Sequence, residues 1–259
     1  MGCLEGRVAL VSGGGRGIGR AIALALAGAG ASVAVSSRTR TELDDVVGEI
    51  EGTGARGFAV TADMMDRAAI RSMVEAVIER FGRLDVLVNN AGGVIGDIPQ
   101  LVAYTHDDGL FEDNLFLNLT SAYYATRVAL PQMKQQRWGR VIFIGSGYAK
   151  NGGGLISYSA AKHGLVGFTR SLAYQVTADG ITVNCLCPGW TNTQLVDWDR
   201  LAGAYGTTAE IAKAMAEADN VQRRILEPEE LGPMAVLLSS DDSRGITGQV
   251  ISVDGGFKV

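Results

Sequence analysis

A tyrosine, a lysine and a serine stand at a spacing that could assist the reduction of a carbonyl group. Tyr158 and Lys162 are four residues apart, and Ser146 lies twelve residues upstream of the tyrosine. Positions i and i+4 share one face of a helix, so the Lys162 ammonium would lie beside the Tyr158 ring and favour its phenolate. A phenol ordinarily has a pKa of ~10, so such a neighbour would help a tyrosine act as acid and base near neutrality. The same spacing also occurs in solvated or packing pairs, so the motif needs support from elsewhere in the chain.

A glycine-rich segment near the N-terminus supplies that support. Residues 12–19 read Ser-Gly-Gly-Gly-Arg-Gly-Ile-Gly and lie between the apolar run Val8 to Val11 and the alanine-rich stretch Ala21 to Ala29. This order predicts a strand, a glycine turn and a helix. Glycines let the backbone approach a pyrophosphate, whose charge is met by the amides and the dipole at the helix start. The segment therefore predicts a dinucleotide site.

Strand-like runs alternate with helical patterns along the whole chain. The predicted strands are Val8 to Ser12, Ser32 to Ser36, Gly57 to Thr61, Val86 to Asn89, Val141 to Gly145, Thr182 to Cys187 and Val250 to Val253. The predicted helices are Ile18 to Ala29, Thr41 to Glu51, Ala68 to Phe81, Asp108 to Met133, Tyr158 to Thr177 and Glu229 to Leu238. Such alternation predicts a single α/β domain, a doubly wound parallel sheet of about seven strands with helices on both faces. Ligands of this Rossmann-type fold bind at the carboxyl ends of the strands, where the motifs lie.

Two further motifs, Asn89-Asn90-Ala91-Gly92 and Pro188-Gly189, complete a resemblance to the short-chain dehydrogenase/reductase family from about Leu4 to Phe257. The family's TGxxxGxG is present with Ser12 in place of threonine. The resemblance implies a catalytic tetrad of Asn118, Ser146, Tyr158 and Lys162, although the family commonly has one more residue between the serine and the tyrosine. It implies a cofactor site made of Ser12, Gly13, Arg16, Gly17, Ile18, Gly19, Ser37, Arg38, Asp63, Met64, Asn90, Ala91, Gly92, Tyr158, Lys162, Pro188, Gly189, Thr191 and Thr193. A homotetramer is also implied.

The choice of cofactor is predicted from the end of the second strand. An NAD site usually has an acid there to accept the adenosine ribose hydroxyls, and a carboxylate would repel a 2′-phosphate. This position is Ser37, and Arg38 and Arg16 could bracket a phosphate. We therefore expect NADP(H), with NAD(H) as the alternative in which the arginines only cover the adenine.

The substrate is predicted only as a class. The segment from Trp190 to Ile225 is long for a loop and resembles a substrate lid, although a surface excursion or a subunit contact would have the same composition. An apolar or aromatic pocket for a ketone of modest size could be formed by Tyr148, Leu155, Trp190, Trp198 and Tyr205. A 3-ketoacyl thioester reductase is an alternative, because residues 136–141 are similar to carrier-protein ketoacyl reductases. Of the arginine pair that docks their acidic carrier, Arg137 matches one member and Asp179 stands at the other position.

Composition excludes several classes. The net charge is −5 and the pI is about 5.1, which argues against nucleic acid as a partner. No apolar run is long enough to span a bilayer and no signal peptide is evident, so we expect a soluble, cytoplasmic protein. Cys3, Cys185 and Cys187 have no metal spacing, and we expect no metal site.

Two functions outside this enzyme class fit the sequence less well. A dinucleotide-sensing protein would keep the glycine loop and usually lose a tetrad member, yet all four are present. A serine hydrolase would need GxSxG, and Ile144-Gly-Ser146-Gly-Tyr148 lacks both outer glycines.

Overall fold

A seven-stranded parallel sheet forms the centre of the protein. The computed structural model describes residues 2–97, 106–153 and 155–259. The strands are β1 (Val8–Ser12), β2 (Ser32–Ser37), β3 (Gly57–Thr61), β4 (Val86–Asn89), β5 (Gly139–Ile144), β6 (Ile181–Pro188) and β7 (Val250–Val253). They pair in the order β3-β2-β1-β4-β5-β6-β7. The predicted fold class, a doubly wound parallel sheet, is therefore confirmed.

Helices cover both faces of this sheet. They are α1 (Gly17–Gly28), α2 (Arg40–Gly52), α3 (Arg67–Phe81), α4 (Asp108–Leu115), α5 (Ser121–Gln136), α6 (Ile156–Val176), α7 (Trp198–Tyr205), α8 (Ala209–Ala218) and α9 (Gly232–Ser239). Within the described parts of the chain, no helix is long and apolar enough to cross a membrane.

The apolar side chains of the strands alternate between two cores. Ala9 and Val11 of β1 pack with Ile22 and Leu26 of α1 in one core. Leu10 of the same strand packs into the opposite core, which also contains Phe143. All are fully buried, as expected for strands of a parallel sheet covered on both faces.

Most predicted boundaries lie within three residues of the observed ones, and three differences are informative. The helix predicted from Asp108 to Met133 is divided by a wider π-helical turn at Phe116–Thr120. The strand predicted as Val141 to Gly145 begins two residues earlier and ends at Ile144. Helix α7 was not predicted, because it has only eight residues and lies within a segment that was interpreted as a lid loop.

Cys185 and Cys187 lie on one face of β6, as small buried residues. Both are fully buried, and their sulfur atoms are 3.8 Å apart. Their neighbour Gly145 leaves no room for a side chain beneath the two thiols. They contribute to the packing behind the strand ends at which the site is built.

Candidate active site

The strand order reverses at β1, which pairs with β2 on one side and with β4 on the other. The carboxyl ends of β1 and β4 therefore frame a crevice, which is where ligands of this architecture bind. Helix α1 begins at Gly17 immediately after the glycine-rich turn. No acidic residue lies in its first turn and no side chain caps its amides, so the positive end of the helix is open to an anion.

Two glycines of the turn are required by geometry. Gly17 has φ of 53°, in the left-handed region that favours glycine. A Cβ at Gly19 would lie 2.1 Å from the Gly13 carbonyl oxygen and 2.5 Å from the Asn90 amide nitrogen. The turn can therefore adopt this compact form only with glycine at position 19.

Ser12 and Asn90 join the glycine turn to the loop after β4. The Ser12 hydroxyl accepts hydrogen bonds from the N–H groups of Asn90 (3.1 Å) and Ala91 (3.2 Å). The Asn90 side chain donates to the carbonyl oxygens of Ser12 and Gly13, both at 3.0 Å. Ser12 is 1% exposed, so its contribution is to hold the two loops together.

A cleft of about 370 Å³ extends from the glycine turn along this crevice. Most of the predicted cofactor residues line it: Gly13, Arg16, Gly17, Ile18, Gly19, Ser37, Arg38, Asp63, Met64, Asn90, Ala91, Gly92 and Thr193. Ser12 lies behind it. Tyr158, Pro188, Gly189 and Thr191 instead line a neighbouring cavity.

This neighbouring cavity, of about 180 Å³, contains two of the four predicted catalytic residues, Ser146 and Tyr158. It shares Ile18, Val94, Thr193 and Leu195 with the cleft. A ligand in the cleft and a second molecule in the cavity would therefore meet at these four residues, beside the cavity that Tyr158 and Ser146 line.

Lys162 lies beside Tyr158 on helix α6. Its ammonium nitrogen is 5.5 Å from the centroid of the Tyr158 ring and donates a hydrogen bond to the Ile144 carbonyl oxygen at 2.9 Å. The residue is 4% exposed. A Cβ placed on Gly92 would be 3.3 Å from this nitrogen and 2.7 Å from the Asn118 amide oxygen. Lys162 and Asn118 thus both approach Gly92.

Asn118 lies in the π-helical turn and is 2% exposed. Its amide nitrogen donates to the carbonyl oxygens of Gly93 (2.8 Å) and Asn114 (3.0 Å), and its amide oxygen accepts from the Gly93 N–H group (3.0 Å). Single π-helical turns occur frequently at functional sites. Here the turn brings the asparagine to the loop beside the cleft.

Ser146 has a structural contact as well as a position in the cavity. It lies two residues after the end of β5, and its hydroxyl accepts a hydrogen bond from the Tyr148 N–H group at 3.1 Å. The hydroxyl hydrogen is not used by this contact, so Ser146 keeps a donor for a molecule in the cavity.

Aromatic side chains form one wall of the cavity. Tyr148 packs edge-on against Phe257, with ring centroids 5.5 Å apart. Burial raises the pKa of the Tyr148 phenol to about 12, and Tyr205, Asp219 and Tyr158 act in the same direction. Tyr148 therefore stays a neutral phenol at ordinary pH.

The remaining predicted pocket residues divide into two groups. Leu155 and Trp190 line the cavity with Tyr148. Trp198 stands behind Trp190, with ring centroids 6.0 Å apart, and Tyr205 is 52% exposed. Neither Trp198 nor Tyr205 is among the lining residues.

Several residues of the site were not predicted from the sequence. The cavity is also lined by Val94, Leu195, Val196, Asp197, Arg200, Leu201 and Phe257. The sequence carries a sign of Asp197, because an aspartate is a typical N-cap residue; it caps α7 and accepts a hydrogen bond from the Arg200 N–H group at 2.9 Å. No local pattern marks Phe257, because the C-terminal segment reaches the cavity only through an antiparallel bridge to Asn220.

Comparison with known proteins agrees with this geometry. Residues 7–202 match the sequence model of the family described as short chain dehydrogenase. The chain is 37% identical over 260 residues to a Streptomyces virginiae protein assigned as the ketoacyl reductase of the monensin polyketide synthase, covering 97% of each chain. It is 38% identical over 219 residues to the D-beta-hydroxybutyrate dehydrogenase of Cupriavidus necator, covering 80% of each. The crystal structure of levodione reductase superimposes with a TM-score of 0.91 at 30% identity, over 98% of each chain.

Proposed function

Because the chain belongs to the short-chain dehydrogenase family, we propose that it transfers a hydride between NADP(H) and a ketone or secondary alcohol of modest size. One observation carries the proposal: the cavity containing Tyr158 and Ser146 opens into the cleft of the glycine turn and shares four lining residues with it. A cofactor in the cleft and a carbonyl compound in the cavity would therefore lie next to each other, as hydride transfer between them requires.

The cleft fits a dinucleotide on physical grounds. The uncapped start of α1 would receive the pyrophosphate, and the glycines of the turn leave room for it. Lys162 and Thr193 would hold the nicotinamide half, while Asp63 and Met64 would contact the adenine. When bound, the nicotinamide supplies or accepts the hydride.

The protein's own groups would handle the proton. Tyr158 would donate a proton to the carbonyl oxygen during reduction and remove it during oxidation. Ser146 would donate a hydrogen bond to the same oxygen as negative charge develops on it. Lys162, buried beside the tyrosine ring, would favour the phenolate that forms. Asn118 would complete a path by which the proton returns from Lys162 to solvent.

The lining of the cavity favours an uncharged, largely apolar substrate. Among the described residues, Asp197 and Arg200 are the only charged side chains that line it. Asp197 caps α7, and Arg200 donates to the Gly96 carbonyl oxygen and lies 3.6 Å from Asp97. To pair with a substrate carboxylate, Arg200 would have to give up its contacts with the loop after β4, and the Asp197 carboxylate would repel such a substrate. This arrangement argues against a small anion such as hydroxybutyrate.

A 3-ketoacyl thioester is the second candidate, because the Streptomyces relative is assigned to ketoacyl reduction. Docking of an acidic carrier is less favoured, because Asp179 stands where those reductases have an arginine. Asp179 pairs with Lys134 at 3.1 Å, which leaves Arg137 without its expected companion. An NAD-dependent secondary alcohol dehydrogenase is a third candidate. A dinucleotide sensor is disfavoured by the complete set of Asn118, Ser146, Tyr158 and Lys162.

NADP(H) is proposed over NAD(H) from the side chains at the end of β2. Ser37 stands at the position where an acid would accept ribose hydroxyls, and Arg38 is exposed. Arg38 makes no ion pair with any described residue, so its guanidinium is available for a phosphate.

We also propose that residues 190–225 form a lid on a single domain. The segment contains α7 and α8, and Arg200 joins α7 to the loop after β4.

A homotetramer is proposed because α5 and α6 expose Tyr123, Ile156 and Tyr174. A monomer in light scattering at micromolar concentration would contradict the tetramer. The cytoplasmic location stays a prediction.

Replacement of Tyr158 by phenylalanine tests the chemistry. The variant should lose nearly all turnover and bind NADPH within a few-fold of the wild-type affinity, because the hydroxyl acts on the substrate oxygen. Wild-type turnover in this variant would refute the proposed mechanism.

A further inference from the structure

A carboxylate from helix α2 lies at the phosphate end of the cleft. Glu42 lines the cleft, and one of its carboxylate oxygens is 3.4 Å from a guanidinium nitrogen of Arg16. The other is 3.2 Å from the position that a Cβ on Gly15 would take, and the Ser37 hydroxyl is 3.1 Å from the same point. Glu42 and Ser37 therefore both face Gly15 of the glycine turn.

The arginines near the phosphate end of the cleft differ in their ion pairs. Arg16 is paired with Glu42, whereas Arg38 has no ion-pair partner in the part of the chain that the structure describes. The next cation along, Arg40, is held by Asp44 at 2.8 Å within α2 and does not line the cleft. One arginine is thus free for an anion, and the other already has a counter-ion.

We propose that Glu42 is a specificity-determining residue of the dinucleotide site, which pairs with Arg16 and opposes a 2′-phosphate. The inference rests on the proposed function only in that a nicotinamide dinucleotide binds in the cleft. A phosphate monoester carries a charge of ~−1.5 to −2 near neutrality, so it would have to compete with Glu42 for Arg16 and would also be repelled by the carboxylate. The ribose hydroxyls of NADH neither compete for Arg16 nor are repelled by Glu42, because a carboxylate can accept hydrogen bonds from them. Glu42 therefore narrows the preference for NADPH that Arg16 and Arg38 would otherwise give.

The test compares Glu42→Gln with Asp44→Asn. Both changes remove one carboxylate from the same helix and one arginine partner, but only Glu42 lines the cleft. Dissociation constants for NADPH and NADH are measured by calorimetry without substrate, together with those for 2′,5′-ADP and 5′-AMP, which isolate the phosphate. Melting temperatures establish that each variant is folded.

Glu42→Gln should lower the dissociation constants for NADPH and 2′,5′-ADP by about ten-fold. It should change those for NADH and 5′-AMP by less than about three-fold. Asp44→Asn should change none of the four. Unchanged or weaker NADPH binding in Glu42→Gln would overturn the inference, because Glu42 would then only position Arg16. Equal effects of the two variants would overturn it as well, since they would reflect net charge.

These outcomes are separable from failure of the proposed function. If the wild type bound NADH more tightly but Glu42→Gln still shifted the ratio toward NADPH, the cofactor proposal would fail and the role of Glu42 would stand. If the wild type preferred NADPH and Glu42→Gln left the ratio unchanged, only the role of Glu42 would fail.

Discussion

Asn118 holds both backbone groups of Gly93: its amide nitrogen donates to the Gly93 carbonyl oxygen at 2.8 Å, and its amide oxygen accepts from the Gly93 N–H group at 3.0 Å. One helical turn earlier, Asn114 makes the same pair of contacts with Ile95, at 2.9 and 3.0 Å. Two asparagines, one at the end of α4 and one in the π-helical turn that follows it, thus hold the loop after β4. Only Asn118 approaches Gly92 and, through it, Lys162.

The two asparagines separate structural support from chemistry. Asn118→Ala and Asn114→Ala should each lower the free energy of unfolding by about 2–3 kcal/mol, because each leaves backbone groups without partners. Turnover should fall more than about ten-fold further in Asn118→Ala than in Asn114→Ala, since only Asn118 is proposed to carry protons. Chemical denaturation and steady-state kinetics measure both quantities. Equal losses of turnover would show that Asn118 acts only as support for the loop.

Lys162 is assigned two roles, so its removal should have two effects. Lys162→Ala should reduce turnover by more than about a hundred-fold and weaken NADPH binding by about ten-fold or more. Lys134→Ala, at a lysine that is exposed on α5 and pairs with Asp179, provides the matched control and should change neither. Unaltered NADPH affinity in Lys162→Ala, measured by fluorescence titration, would contradict the cofactor role.

Two glycines of α1 give a paired test of the cofactor cleft. Gly19→Ala places a Cβ 2.1 Å from the Gly13 carbonyl oxygen, so the turn must move and NADPH affinity should fall by more than about ten-fold. A Cβ on Gly28 meets nothing within 4 Å. Gly28→Ala should therefore leave NADPH binding unchanged and stabilise the fold by up to about 1 kcal/mol. Calorimetry and thermal melting distinguish the two variants, and normal NADPH binding by Gly19→Ala would refute the assignment of the turn.

The preference for NADPH is tested at the end of β2. Arg38→Ala should raise the Michaelis constant for NADPH by about ten- to a hundred-fold and leave that for NADH nearly unchanged, because a charge-assisted contact to phosphate is worth ~1.5–3 kcal/mol. Ser37→Asp should reverse the preference, since it adds repulsion toward a phosphate and an acceptor for ribose. If Arg38→Ala changed the Michaelis constants for both cofactors equally, the arginine would only cover the adenine and would not contact a 2′-phosphate.

The order of strands and helices was predictable because the periodicity of each segment is strong. Every strand was predicted within two residues at either end, since parallel strands buried on both faces read as short apolar runs. Helix α7 was missed because it has eight residues and includes Gly203. Its N-cap, Asp197, is a local signal of where the helix begins.

The site was predictable where a motif specifies neighbours along the chain. Tyr158 and Lys162 share a helix face, and residues 12–19 form a local turn. Glu42 and Phe257 belong to no motif, and they reach the site only through tertiary packing of α2 and of the C-terminal tail. The two hydrogen bonds between Asn118 and Gly93 depend on the π-helical turn, which sequence periodicity does not distinguish from an α-helix.

The most direct test follows the reduced-nicotinamide absorbance while purified protein is mixed with a panel of ketones and secondary alcohols. The panel contains neutral apolar ketones, hydroxybutyrate and a 3-ketoacyl thioester, each with NADPH and with NADH, and Tyr158→Phe is run in parallel. We predict reduction of neutral ketones with NADPH, weak activity on hydroxybutyrate, and almost no turnover by Tyr158→Phe. Turnover that survives in Tyr158→Phe, or NADPH binding without hydride transfer to any carbonyl compound, would contradict the proposed function.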